Sequence, residues 1–180
     1  MWPFIIVAVF AAADLSQSAP PRAPYEEQAC PFECCTYGAW TATSRVSVRR
    51  DRRANAPVVF QVASGERVDA VTGVVITTRL GTARAKADGT IFESGVPVKK
   101  GSTVSVLHYT GEGTWKIWVN GTTDSWEIDE STEEPFSYQT LRMVSPPVTT
   151  WWVQIRNSKG QVGWTTRVDD FKGKDSCGCS

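Results

Sequence analysis

Leucine is scarce in this chain, with four in 180 residues, and nowhere do apolar residues recur at i, i+3, i+4 and i+7 over a long stretch. A helical bundle depends on that spacing, so its absence favours β structure over helix. An excess of either charge is also missing. Nineteen Lys and Arg balance nineteen Asp and Glu, which argues against a bulk nucleic-acid binder, whose domain would be strongly basic. Histidine occurs once, as His108, and no cysteine lies between Cys35 and Cys177. Beyond the first thirteen residues no apolar run is long enough to cross a bilayer, so no membrane span is expected in the mature chain. The chain has no Gly-x-Ser-x-Gly, no phosphate-cradling glycine loop and no His-Glu-x-x-His. Catalysis, a cofactor and a metal centre are therefore not expected.

What is present favours strands. Val, Thr, Trp and Tyr are abundant, Gly recurs at short intervals, and eight Trp is high for this length. The clearest unit is WWVQIRNSKGQVGW, Trp151–Trp164. Two alternating runs flank Asn157-Ser158-Lys159-Gly160, which predicts a hairpin with Gly160 at positive φ. Val153, Ile155 and Val162 are expected to face a core, with Gln154, Arg156 and Gln161 facing water. Gly163 lets a backbone pass close by while the Trp164 indole fills a hole.

The N-terminus, MWPFIIVAVFAAA, has the length of a signal-peptide apolar core, with Ala11-x-Ala13 at the cleavage position. No Lys or Arg precedes it, and a membrane anchor or a buried strand is the alternative. A signal peptide makes the protein secreted or periplasmic. Pro20, Pro21 and Pro24 then mark a linker.

Cys30, Cys34 and Cys35 precede the first candidate strand, and Cys177 and Cys179 follow the last. In a secreted chain this layout predicts a staple between the two ends of one fold, with one cysteine left over for a possible disulfide-linked dimer. A Zn²⁺ site is the alternative, but the C-x3-C-C and C-x-C spacings match zinc ribbons poorly.

Along the body, strands are expected over 40–48 and 58–62 and from Val68 onward. The Arg49-Arg50-Asp51-Arg52-Arg53 cluster is either a solvated loop or a contact for a phosphate- or carboxylate-bearing polymer. An echo of this order recurs 35 to 36 residues later, where Gly101–Val106 matches Gly65–Ala70. Asn120-Gly121 predicts a second hairpin, rich in Trp. Tyr109, Trp115, Trp118 and Trp126 lie in or beside it and are candidate binding residues, because exposed indoles stack on sugar rings or peptides. The competing reading is that they fill a barrel interior. Six carboxylates between Asp124 and Glu134 form a solvated loop or a partner for the arginine cluster, and Glu127, Asp129 and Glu130 offer the acid pairs a glycan hydrolase would use.

Three pieces resemble the bacterial SH3-like (SH3b) family. They are Val48-Arg49 through Val62-x-x-Gly65-x-x-Val68, its echo from Ala83 to Val106, and Trp152–Arg156 with Lys159-Gly160-Gln161-Val162-Gly163-Trp164. The resemblance implies an all-β chain of small barrels, either two in tandem or one enlarged by an inserted hairpin. The expected division is 1–13 signal peptide, 14–39 linker and Cys cluster, 40–80 first unit, 81–172 second unit with an insertion at about 112–150, and 173–180 tail. It also implies a non-catalytic module that binds a cell-wall polymer or an extracytoplasmic protein. A disulfide-linked structural envelope protein is the second expectation.

Overall fold

The computed structural model describes residues 19–91, 94–130 and 141–177. The leader expected at 1–13 lies outside them. Among the described residues fifteen strands run in chain order: β1 (Tyr25–Gln28), β2 (Gly38–Ala42), β3 (Val46–Arg49), β4 (Val58–Val62), β5 (Arg67–Arg79), β6 (Gly81–Ala85), β7 (Gly89–Thr90), β8 (Pro97–Val98), β9 (Thr103–Gly111), β10 (Thr114–Val119), β11 (Thr122–Asp129), β12 (Leu141–Ser145), β13 (Val148–Arg156), β14 (Val162–Thr165) and β15 (Phe171–Lys172). Among the described residues the helical part is one 3₁₀ turn, Val168–Asp170. The all-β expectation holds.

Pairing sorts these strands into two main bodies. A curled sheet has the order β15-β2-β5-β13-β14-β3-β4, with β1 also on β5. A closed barrel has the order β10-β11-β12-β6-β9. The thirteen-residue β5 organises the sheet. One of its edges takes β2 at Arg67–Ala70 and β1 at Val74–Thr77, and its other edge takes the whole of β13.

Strand pairing groups the chain differently from its linear order. The hairpin β13–β14 belongs to the curled sheet, so this sheet is made before and after the barrel in sequence. The Trp-rich hairpin β10–β11 is no appendage, because it supplies two of the five barrel strands. Each body thus has its own hairpin, and the barrel sits between β5 and β13 in the chain. The 35-residue echo survives as strand order but not as pairing: β3 pairs with β4, whereas its counterpart β6 pairs with β9.

Each body has its own core. Trp40, Val46, Val48, Val62, Val153, Ile155 and Phe171 bury together in the sheet. Ile91, Val104, Val106, Ile117, Ile128 and Leu141 bury together in the barrel. Asn120 and Gly121 both take positive φ, +45° and +97°, as a tight hairpin turn with the strands' own twist requires. At the other hairpin Gly160 has φ +77°, and the Asn157 side-chain oxygen accepts the Lys159 and Gln161 amides at 3.1 and 2.9 Å.

Two expectations about β14 need correction. Val162 is exposed, because it pairs with exposed Arg156, and the inward positions are Gly163 and Thr165. For the same reason Trp164 points away from the core and is half-buried beneath Arg52, whose guanidinium carbon lies 5.1 Å from the ring centre. Gly163 does admit a close backbone. A Cβ there would stand 2.6 Å from the Arg49 carbonyl oxygen and 2.8 Å from the Val48 methyl. Since a backbone atom cannot swing aside, Gly163→Ala is expected to cost about 1–3 kcal/mol in urea unfolding.

The two bodies touch through polar contacts. The buried Thr77 hydroxyl donates to the Leu107 carbonyl at 2.8 Å. Glu27 Oε2 accepts from the Tyr25 hydroxyl at 2.7 Å and faces Nε2 of buried His108 at 3.2 Å, with Lys116 Nζ 3.9 Å from Oε1. Burial first, then the hydrogen bond to Glu27 and its charge, pushes the Tyr25 phenol up to about 12. Burial alone would raise Glu27, but the hydrogen bonds from Tyr25 and His108 and the pull of His108 and Lys116 outweigh it and leave it below its ordinary 4.5. The raised phenol stabilises the fold below pH 10.0, and that contribution is lost as pH climbs toward about 12. The lowered carboxylate stabilises it above pH 4.5, and that contribution is lost as pH falls through the depressed value. Urea midpoints measured against pH should drop in both directions, with Tyr25→Phe flattening the alkaline arm and Glu27→Gln the acid one.

Candidate binding groove

The outer face of the curled sheet is polar at its β3–β14 junction. Along β3, Val46 and Val48 point inward, which leaves Ser47 and Arg49 outward. Trp164 pairs with Arg49, bringing the end of β14 alongside. Here Arg45, just before β3, and Ser47 and Arg49 on it meet Thr166 and Arg167, which follow β14, beside the buried Thr165, with Trp152 and Thr150 of β13 behind them. The groove encloses about 500 Å³.

Its three arginines differ in freedom. Arg49 donates to the Ala56 carbonyl at 2.8 Å, which fixes its guanidinium. Arg167 Nε donates to Asp170 at 2.5 Å, and Asp170 also accepts the Ser44 hydroxyl at 2.8 Å. The Arg167 guanidinium first, then the Ser44 hydroxyl, holds the Asp170 carboxyl below the usual carboxylate range, so it stays charged and anchors Arg167. Arg45 is exposed and has no hydrogen-bond or ion-pair partner among the described residues.

The 49–53 cluster is therefore split. Arg52 is spent on Glu26, at 2.7 Å, and on the Trp164 face, and Arg53 on Asp51 at 3.0 Å. The acidic segment does not serve as their partner among the described residues. Asp124 is buried and accepts the Ser94 amide at 2.8 Å, and Asp129 is buried and pairs with Lys86 at 3.1 Å. Glu127 and Glu130 are exposed, and the rest of that segment, from 131 onward, lies outside the described residues.

The four aromatic candidates do not form one surface. Trp115 and Trp126 face each other across β10–β11 and pack on the barrel core. Tyr109 meets Trp115 edge-on at 5.1 Å, and its hydroxyl accepts the Gly113 amide at 3.0 Å. Trp118 lies on the opposite face of β10, between Thr123 and Ser105. All four are half-buried. His108 is 1% exposed, with Nδ1 3.0 Å from the Tyr109 carbonyl, in keeping with a structural role.

The cysteines form two bridges, Cys30–Cys35 and Cys34–Cys177. The second joins the two ends of the fold, as expected from the layout. Asp175 lies close to Cys34 and Cys177, but bonded sulfurs are not thiolate ligands, and its carboxylate accepts the Cys177 amide at 2.8 Å. Cys179 lies outside the described residues.

Sequence reasoning singled out the Arg49–Arg53 cluster, of which only Arg49 lines the groove, and missed Arg45, Thr150 and Thr165–Arg167, the last four of which follow the barrel in sequence. The Gly163-Trp164 motif was the available clue, since a glycine that admits another backbone implies a neighbouring strand. Comparison with protein-family models, with curated proteins and with solved structures finds no match.

Proposed function

We propose that this chain is an extracytoplasmic, non-catalytic SH3-like module that binds a cell-envelope polymer or a protein partner through the β3–β14 groove. The observation that carries the reading is the groove itself, an open polar concavity of about 500 Å³ on a rigid sheet face. That volume falls in the range of ligand sites and exceeds what one small ion would fill. Two disulfides support an oxidising compartment, secreted or periplasmic. No helix among the described residues is long and apolar enough to cross a membrane. The two stronger pieces of the SH3b resemblance, Val48–Val68 and Trp152–Trp164, fall in one sheet, which favours that kinship. The test is retention on purified bacterial cell wall: wild type should be held and Thr166→Trp, which plugs the groove from an exposed position, should not. Equal recovery of both in the unbound fraction would remove the polymer reading.

One observation favours a second reading. Four of the five cysteines are used in the two bridges, which leaves Cys179 for a bond to another chain. A dimer on non-reducing gels that collapses with reductant would support a disulfide-linked envelope protein.

A further inference from the structure

We propose that the groove is an oxyanion site, and that its ligand is a polymer carrying phosphate or carboxylate groups along its length. The proposal rests on the binding-module reading and adds the chemistry of the ligand.

Charge is the first argument. The whole chain is neutral, yet the segment from Arg45 to Arg53 holds five arginines and one aspartate. Neutrality overall makes this concentration local, and two of its arginines, Arg45 and Arg49, line the groove. Of the acids near it, Glu26 and Asp51 are paired with Arg52 and Arg53, outside the groove. Asp170 is held by Arg167 and Ser44. Arg45 is left with its full set of donors, and Arg49 with those that do not reach Ala56.

Preorganisation is the second argument. Arg49 and Arg167 are each pinned by one hydrogen bond while the rest of the planar fork is open. A fork held in place loses less entropy on meeting an oxyanion than a free side chain does. Ser47, Thr150 and Thr166 add hydroxyls with no hydrogen bond among the described residues, suited to the remaining lone pairs of a phosphate or carboxylate.

Size is the third argument. A water molecule takes about 30 Å³ of liquid volume, so the groove would hold well over a dozen. One phosphate or carboxylate leaves most of that space empty. A repeating unit that places one anion near Arg45 and another near Arg167, with its neutral backbone over Thr150 and Thr166, fills it.

The experiment uses the full mature chain, titrated at low salt with inorganic polyphosphate, with polygalacturonate and with neutral dextran. The acidic polymers should bind and dextran should not. Polyphosphate binding alone assigns a phosphate-bearing ligand, and polygalacturonate binding alone assigns a carboxylate-bearing one. Binding of both supports the shared chemistry. Arg45→Gln should weaken binding several-fold, and the Arg45→Gln/Arg167→Gln pair at least about tenfold, a loss of about 1.4 kcal/mol. Arg156→Gln, at the far end of β13, should change it less than twofold. Raising salt from about 50 to about 500 mM should weaken wild type and leave the double variant little changed. Arg45 is exposed and unpartnered, so its single variant should fold normally, which a melting curve checks. Failure of both acidic polymers to bind, or affinity untouched in both variants, overturns the proposal. Cell-wall retention that survives high salt and both variants would overturn the oxyanion chemistry while leaving the binding module standing.

Discussion

Replacing Cys34 and Cys177 together by serine is expected to lower stability by about 4–5 kcal/mol, and the melting temperature by on the order of 10 °C or more. The bridge spans 143 residues of sequence, so in the unfolded chain it closes a loop containing nearly all of both bodies. Chain entropy lost by the unfolded state scales with the logarithm of that length. The Cys30–Cys35 bridge spans only 5, and the same relation gives about 2 kcal/mol for its removal. The long bridge also sits on a small β junction. The Thr36 amide donates to the Lys174 carbonyl and the Ser176 amide to the Cys34 carbonyl, each at 2.9 Å, while β15 lies on β2. Losing the bridge should let the final segment fray and loosen Phe171 from the core. Calorimetry of the two double variants checks the ranking, and equal losses from both would contradict it.

Trp40→Ala is expected to cost about 3–5 kcal/mol, against about 1 kcal/mol or less for Trp118→Ala. Trp40 is fully buried, and its Nε1 donates to the Thr36 carbonyl at 3.1 Å. Its ring centre lies 6.4 Å from Tyr37, 6.2 Å from Trp151 and 5.7 Å from Phe171. Truncation therefore leaves a cavity that rigid neighbouring rings cannot collapse to fill. Trp118 points out of the barrel beside short polar side chains, where water replaces what is removed. Urea unfolding of the two variants separates an indole that holds the fold from one that only covers it.

Much of this was legible in the sequence because it is local. Asn120-Gly121 and Asn157–Gly160 declare their turns through residues that tolerate positive φ. Alternation along Val153 and Ile155 declares which face is buried. The cysteine layout declares a clamp, because nothing between Cys35 and Cys177 offers another partner. What was not legible depends on which strands become neighbours. Periodicity says that β13–β14 is a hairpin, but not that it returns to β5 across an intervening barrel. The turn at Asn157–Gly160 sets the register that pairs Val162 with Arg156, so a valine that alternation alone would bury points to water. Trp164 follows Val162 to the same face. The Trp-rich hairpin read as an insertion because its indoles are conspicuous, whereas the residues that place it in a barrel, Ile117 and Ile128, are ordinary. The groove was only partly visible: Arg49 stands in a conspicuous cluster, but Arg45 precedes it unremarked, and Arg167 and Thr166 arrive only when β14 reaches β3.

Amide chemical-shift mapping of the intact protein during titration with inorganic polyphosphate tests the binding surface most directly. The account predicts shifts confined to Arg45–Arg49, Thr150–Trp152 and Thr165–Arg167, saturating at one concentration. Shifts centred instead on Tyr109, Trp115, Trp118 and Trp126, or none at any concentration of polyphosphate or, in a second titration, of polygalacturonate, would contradict it.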